Sequence, residues 1–366
     1  MLKKLISLVL ITCFGLSGPG VAWAGEATPS GLTLNQAIAM AVKYSIAAQK
    51  AELEIDRAES SYDKAEDRYD TVVEDVYSDG SDMDAAWAAV LQADLSRQKA
   101  KKNYDAALDD VTLKACQLYW GILEAQEKVA AAEAAVKKAE LDLGKTRIVY
   151  DRGLVSKYGS SVTLGGKTVM SLDAAEKALL KAQGDLDAAK NGVETAYIQF
   201  DQLVGLSLTD RPALADDVEF SPLAVDNLEA EVNRVLDESP SVWIAEQNAK
   251  YTEDLSYWNA AEDEEVEQAE LDVKNAKDAV RLQMRNLYYT LQELERSYAL
   301  AEKNVAVAEA DLRVKQILQR SGLATAAEVT EAETALAEAR LSLKQTAIQY
   351  AYNKRLFEKP WAASYS

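Results

Sequence analysis

The feature that most constrains this chain is a ladder of apolar residues in coiled-coil spacing, and it occurs twice. Tyr104, Leu108, Val111, Ala115, Leu118, Ile122, Ala125, Val129, Ala132, Val136, Ala139 and Leu143 alternate steps of four and three. Moved on by 169 residues, the ladder becomes Val273, Lys277, Val280, Met284, Leu287, Leu291, Leu294, Tyr298, Ala301, Val305, Ala308 and Leu312, and only Lys277 breaks it. A period of 3.5 residues is what a helix needs to stay against a neighbouring helix over a long distance. The fold class that follows is all-α, built from elongated, duplicated long-helix hairpins.

Proline marks where such helices stop. After Pro29 it occurs only at Pro212, Pro222, Pro240 and Pro360, so 30–211 and 241–359 are free of it. A short helix opens at Thr33, with Gln36 as capping partner and Leu34, Ile38, Ala41 and Val42 on its apolar face. A longer helix is predicted over 45–77, a turn over 78–82, and a helix of roughly 100 Å over 84–151. Gly153 caps that helix; a loop of polar and β-prone residues spans 157–170. A second seam from Leu172 to Leu203 closes at Gly205. The copy then repeats: Leu34, Ile38, Ala41 and Val42 match Leu228, Val232, Val235 and Leu236 at offset 194, and Gly153-Leu154 matches Gly322-Leu323 at offset 169. Val329, Ala332, Leu336, Ala339 and Leu343 follow the second seam at offset 157. The falling offsets predict a shorter upper hairpin in the second copy and no counterpart of the 157–170 insert. The domains are therefore a first helical repeat over 25–205, a linker over 206–227 and a second repeat over 228–366.

Residues 1–24 have the pattern of a signal peptide. Lys3 and Lys4 precede an apolar run, and Ala22-Trp23-Ala24 is a small-x-small cleavage site. The expected location is the cell envelope, periplasm or outer membrane. Losing 1–24 removes two lysines and no acid, so the net charge of −20 becomes −22. Such an acidic balance argues against nucleic acid and anionic membrane surfaces as partners. Cys116 is the only cysteine beyond 1–24, which precludes an internal disulfide. The chain has no histidine, the commonest general base and metal ligand, and no nucleophile–base pair, phosphate loop or metal spacing. The expectation is a non-enzyme with no catalytic residue, cofactor or metal.

The order of these motifs resembles the outer-membrane efflux protein (TolC) family. The similarity is carried by Leu32-Thr33-Leu34-Asn35-Gln36-Ala37-Ile38-Ala39-Met40-Ala41, by Leu203-Val204-Gly205-Leu206, and by the tip turns Arg152-Gly153-Leu154-Val155-Ser156 and Ser321-Gly322-Leu323-Ala324-Thr325. The resemblance implies a homotrimer whose protomers close a helical barrel, an export duct that docks to a periplasmic adaptor and an inner-membrane pump. It also implies that the adaptor meets the tips at Gly153, Leu154, Val155, Ser156, Gly322, Leu323, Ala324 and Thr325. The chain departs from the family at the upper hairpins, where the family inserts membrane-spanning strands of 9–11 alternating residues each. The first crossing has room only for a turn, and the second, near 259–265, is helical and acidic. Trp87, Tyr257 and Trp258 near the hairpin tops could form an interfacial belt. The competing reading is a barrel-less coiled-coil scaffold of the cell envelope without transport activity.

Overall fold

The computed structural model describes residues 31–75, 80–159, 161–164, 167–257 and 262–363. The predicted signal peptide at 1–24, Trp258 and most of both upper crossings lie outside them. The elements are α1 (Leu34–Tyr44), α2 (Ile46–Glu74), α3 (Gly80–Asp151), β1 (Val162–Leu164), β2 (Lys167–Val169), α4 (Leu172–Val204), α5 (Leu228–Glu238), α6 (Pro240–Tyr257), α7 (Asp263–Arg320), α8 (Ala326–Glu358) and a final 3-10 turn (Pro360–Ala363).

The helices begin where side chains can serve their orphan amides. Thr33 and Gln36 form the expected capping box on α1, and Thr325 with Glu328 forms one on α8. Ser45 ends α1 and caps α2, accepting from the amide of Ala47. Two boundaries differ from the sequence reading. Helix α2 stops at Glu74, and α3 begins at Gly80, so 80–82 belong to the helix and not to a turn. Asp82 in the first turn of α3 favours that start by meeting the positive end of the helix dipole. The third difference is at 157–170, where the expected loop contains an antiparallel hairpin pairing Val162 with Val169 and Leu164 with Lys167.

The long helices stand side by side as a palisade. On the tip side of the waist the order is α4, α3, α8, α7; on the other side it is α2, α3, α6, α7. Cross-helix pairs fix antiparallel registers: Lys101–Glu59 at 3.2 Å between α3 and α2, Lys137–Glu333 at 2.5 Å between α3 and α8, Arg340–Glu309 at 2.8 Å between α8 and α7. Every position of both apolar ladders is buried or half-buried. Lys277, the one break, forms an ion pair with Glu246 of α6 at 2.7 Å.

Two apolar clusters sit at the waist. The first joins Ala37 and Ala41 to Val111, Ala115, Cys116, Tyr119, Ile122 and Phe200; the second joins Val232 and Val235 to Val280, Met284, Leu291 and Phe357. Val111, Ala115 and Ile122 recur, 169 residues on, as Val280, Met284 and Leu291. Each large side chain buried here contributes about 1.5–3 kcal/mol. Cys116 is buried and unpaired, a packed apolar residue whose thiol burial pushes up. The segment 206–227 belts the waist, with Leu214 and Val218 on the first cluster and Phe220, Leu223 and Val225 on the second. Its path is fixed by backbone bonds between Leu32 and both Ala213 and Ala215, and by the Tyr119 hydroxyl, which donates to Leu32 O at 2.9 Å and accepts from Asp216 N at 3.0 Å.

The upper hairpins have unequal heights. Helices α2 and α6 have 29 and 18 residues, and α3 and α7 have 72 and 58. Their crossings, 75–79 and 258–262, are equally short. At 1.5 Å per residue, the first hairpin stands roughly 15–20 Å taller than the second. Five residues cannot supply even one membrane-spanning strand. Among the described residues no helix is long and apolar enough to cross a membrane.

Candidate functional site

The site expected from sequence is the pair of helix tips, and the two tips share one cap. Gly153 has φ 72° and Gly322 has φ 72°. In the first tip the amide of Gly153 donates to Tyr150 O at 2.7 Å and that of Leu154 to Val149 O at 3.1 Å. In the second, Gly322 donates to Gln319 O at 3.0 Å and Leu323 to Leu318 O at 2.8 Å. These are Schellman motifs: the last carbonyls of α3 and α7 are satisfied by a turn that only a residue at positive φ can make. The motif places the leucine opposite the residue five before it, where it can fold back onto its own helix. It does so only in part, since Leu154 is 53% exposed and Leu323 76% exposed.

Beyond the leucines the tips diverge. In the second, Ala324 is half-buried and Thr325 caps α8 directly, its hydroxyl accepting from Glu328 N at 3.3 Å. In the first, Val155 is buried and Ser156 is exposed, and its hydroxyl donates to Tyr158 O at 2.6 Å. Ser156 is the counterpart of Thr325, but Ser171 takes the capping role, accepting from Ala174 N. The strand pair is looped out between these two serines. Its base is closed by Leu172 N to Ser156 O at 3.3 Å and Asp173 N to Lys157 O at 3.0 Å. The insert is thus spliced into a preserved helix start.

Of the eight predicted residues, six are exposed or cap a helix where a partner could reach them; Val155 faces inward and Ala324 lies between. The structure also adds a surface that the ladders did not reveal. On α7, Leu271, Leu282, Tyr289, Leu300, Val307 and Val314 are all exposed. Their steps of eleven and seven keep them on one stripe. A search for a second periodic ladder on this helix would have found it. Helix α7 is an edge of the palisade on both sides of the waist, where α5 packs against it. The opposite edge also exposes apolar groups, Ile46, Leu53 and Val73 on α2 and Leu180 and Ile198 on α4. Near the hairpin tops, Trp87 is 39% exposed and rests against the Tyr69 ring at 5.4 Å, which is packing between α2 and α3. Among the described residues no group of His, Cys, Asp or Glu could hold a metal ion.

Solved structures of outer-membrane channels share this architecture. The chain is similar to a membrane protein from Pseudomonas aeruginosa, at 11% identity and a TM-score of 0.61, covering 90% of this chain and 93% of that one. It is similar to VceC, an outer membrane protein of Vibrio cholerae, at 14% identity and a TM-score of 0.57 over 90% and 95% of the two chains. The CmeC outer membrane channel of Campylobacter jejuni gives 12% identity and a TM-score of 0.56 over 93% and 90%. No family model and no curated protein sequence matches the chain. At these identities the likeness is one of fold: the helical protomer of outer-membrane efflux channels.

Proposed function

We propose that the chain is a component of an export duct, a homotrimer of helical protomers that docks through its tips to an adaptor and pump in the cell envelope. The observation that carries this reading is the palisade with two unpartnered apolar edges. The stripe on α7 of one protomer meets α2 and α4 of the next in a heterologous contact, which closes a ring when the rotation closes. Three protomers of four helices each, on the pattern of the similar channels, enclose a lumen. Internal duplication, with repeats over 25–205 and 228–366, gives the ring its pseudo-sixfold wall, and export through the signal at 1–24 delivers it to the envelope. The exposed Leu154 and Leu323 are the apolar knobs of the adaptor contact, with Gly153, Ser156, Gly322 and Thr325 shaping the turns beneath them. No step here is catalytic.

Light scattering on the mature chain tests the ring directly. The expected result is three protomer masses, and a charge substitution on the stripe, Val307→Glu with Leu300→Glu, should return the monomer. A wild-type monomer at micromolar concentration would sink the duct. The short crossings at 75–79 and 258–262 favour a second reading, a coiled-coil envelope scaffold that conducts nothing. Solute flux through liposomes bearing the trimer separates the two.

A further inference from the structure

The two repeats meet at the waist around a cavity of about 240 Å³. Helix α3 of the first repeat supplies one wall; α5, α6, α7 and the final turn of the second supply the others. Its floor is apolar and buried, formed by Ala106, Val235, Pro240, Val280 and Pro360. Its rim is polar, with Asn103 half-buried and Ser241 and Gln283 exposed. None of the residues lining it is charged, in a chain where 27% are. The grooves within the upper hairpins differ: Glu54, Arg57 and Lys99 line one, and Glu264, Glu265 and Asp272 line the other.

Polar groups around this cavity have hydrogen-bonding capacity that the protein does not use. Among the described residues the Asn103 amide forms no hydrogen bond. Gln283 Nε2 donates to Pro360 O at 3.2 Å, and its side-chain oxygen accepts nothing from the described residues. The Ser239 and Ser241 hydroxyls bond each other at 3.0 Å, and a bonded pair of hydroxyls keeps one hydrogen over. In the first repeat the counterpart Ser45 spends its hydroxyl on the amide of Ala47. The counterparts of Pro240, Ile244 and Gln283 there are Ile46, Lys50 and Lys114, so the uncharged lining belongs to the second copy. The wall at the final turn is fixed, since Trp361 Nε1 donates to Asp109 Oδ2 at 2.8 Å and Lys359 Nζ to Asp109 Oδ1 at 2.5 Å.

We propose that this cavity binds an uncharged single-ring molecule bearing one amide or hydroxyl group, with the ring on the floor and the polar group among Asn103, Ser241 and Gln283. Size sets the ring: an apolar void of about 150 Å³ holds benzene, and the extra volume here takes one polar group. Water is a poor occupant of the floor. A buried water needs two to four polar partners, and the only polar side chain at that depth is Ser239, 2% exposed and already bonded to Ser241. An ion is excluded because it would lose its hydration and find no counter-charge on the walls. The neutral ligand bridges α3 to the second repeat, so it braces the joint between the repeats. The site stands whether or not the chain forms a duct.

The test is calorimetric titration of the mature full chain with three probes: benzamide, its charged isostere benzoate, and toluene, which lacks the polar group. Benzamide should bind at one site per protomer and raise Tm, because it binds the folded chain alone. Benzoate should bind at least tenfold more weakly and toluene at least fivefold more weakly. Ile244→Trp, which fills the cavity from α6, should weaken benzamide at least tenfold while keeping the helical circular dichroism. Asn103→Leu should remove the preference for benzamide over toluene. If Ile244→Trp does not fold, Ser241→Leu, at the exposed rim, closes the mouth and gives the same reading. No saturable benzamide binding up to about 10 mM, which would mean a cavity holding water only, overturns the proposal. So does benzoate or toluene binding as tightly as benzamide, and so does benzamide binding that neither Ile244→Trp nor Ser241→Leu weakens.

Discussion

Replacing three glycines by alanine separates backbone strain from packing in this fold. Gly153, Gly205 and Gly322 have φ of 72°, 74° and 72°, so a Cβ costs the same left-handed penalty at each, about 1 kcal/mol. Their surroundings differ. A Cβ at Gly153 or Gly322 meets nothing within 4 Å, whereas one at Gly205 lies 2.6 Å from Tyr44 Cγ and 2.8 Å from Tyr44 Cβ. Those are the root atoms of the ring, at the last residue of α1, and they retreat only if the end of that helix moves with them. Overpacking of this kind costs about 1–3 kcal/mol more. Gly153→Ala and Gly322→Ala should therefore each lower Tm by about 2–4 °C, and Gly205→Ala by at least twice as much. Asparagine, which tolerates the left-handed region, should recover most of the loss at Gly322 and little at Gly205. Thermal melts followed by circular dichroism decide it. Equal losses at all three positions would refute the packing argument, and no loss at the tips would refute the strain argument.

The sequence carried the helices and their pairing because each ladder is a one-dimensional record of a long contact. Lys277 shows how far that record goes: it breaks the apolar pattern, yet the half-buried position is kept by an ion pair to Glu246. Caps at Thr33, Gly153, Gly205 and Gly322 were legible because each depends on residues within five positions. The start of α3 was not, since Gly80 and its polar neighbours read as a turn, while Asp82 in the first turn favours the helix by meeting the positive end of its dipole. The hairpin at 162–169 escaped for a different reason: three-residue strands carry too little alternation to be told from a loop. At the candidate site, the two turns could be read locally, but the inward position of Val155 depends on α4 returning through Ser171.

The buried phenols make stability sensitive to alkali. Burial, the largest cause in each case, raises Tyr119, Tyr197 and Tyr350 above the ordinary phenol range. A raised folded value means the stability it contributes is fully present below the unfolded value near pH 10 and is lost as pH rises from there toward the folded value, at up to about 1.4 kcal/mol per pH unit for a phenol; a Tm unchanged between pH 9 and 11 would contradict this. The Tyr350 hydroxyl donates to Glu295 Oε1 at 2.9 Å, an oxygen that also accepts from Leu223 N at 3.0 Å, so Tyr350→Phe should cost about 1.5 kcal/mol in denaturant melts. Excision of 158–170, with two glycines in its place, addresses the splice at the first tip. Because Ser156 and Lys157 carbonyls already meet the first amides of α4, the shortened chain should close as the second tip does, with helicity unchanged and Tm within about 4 °C. Loss of the α3–α4 pairing, read as a fall in helical signal or in Arg147–Glu176 coupling by double-mutant cycle, would mean that the strand pair holds the tip together and is not an insertion into a turn that stands without it.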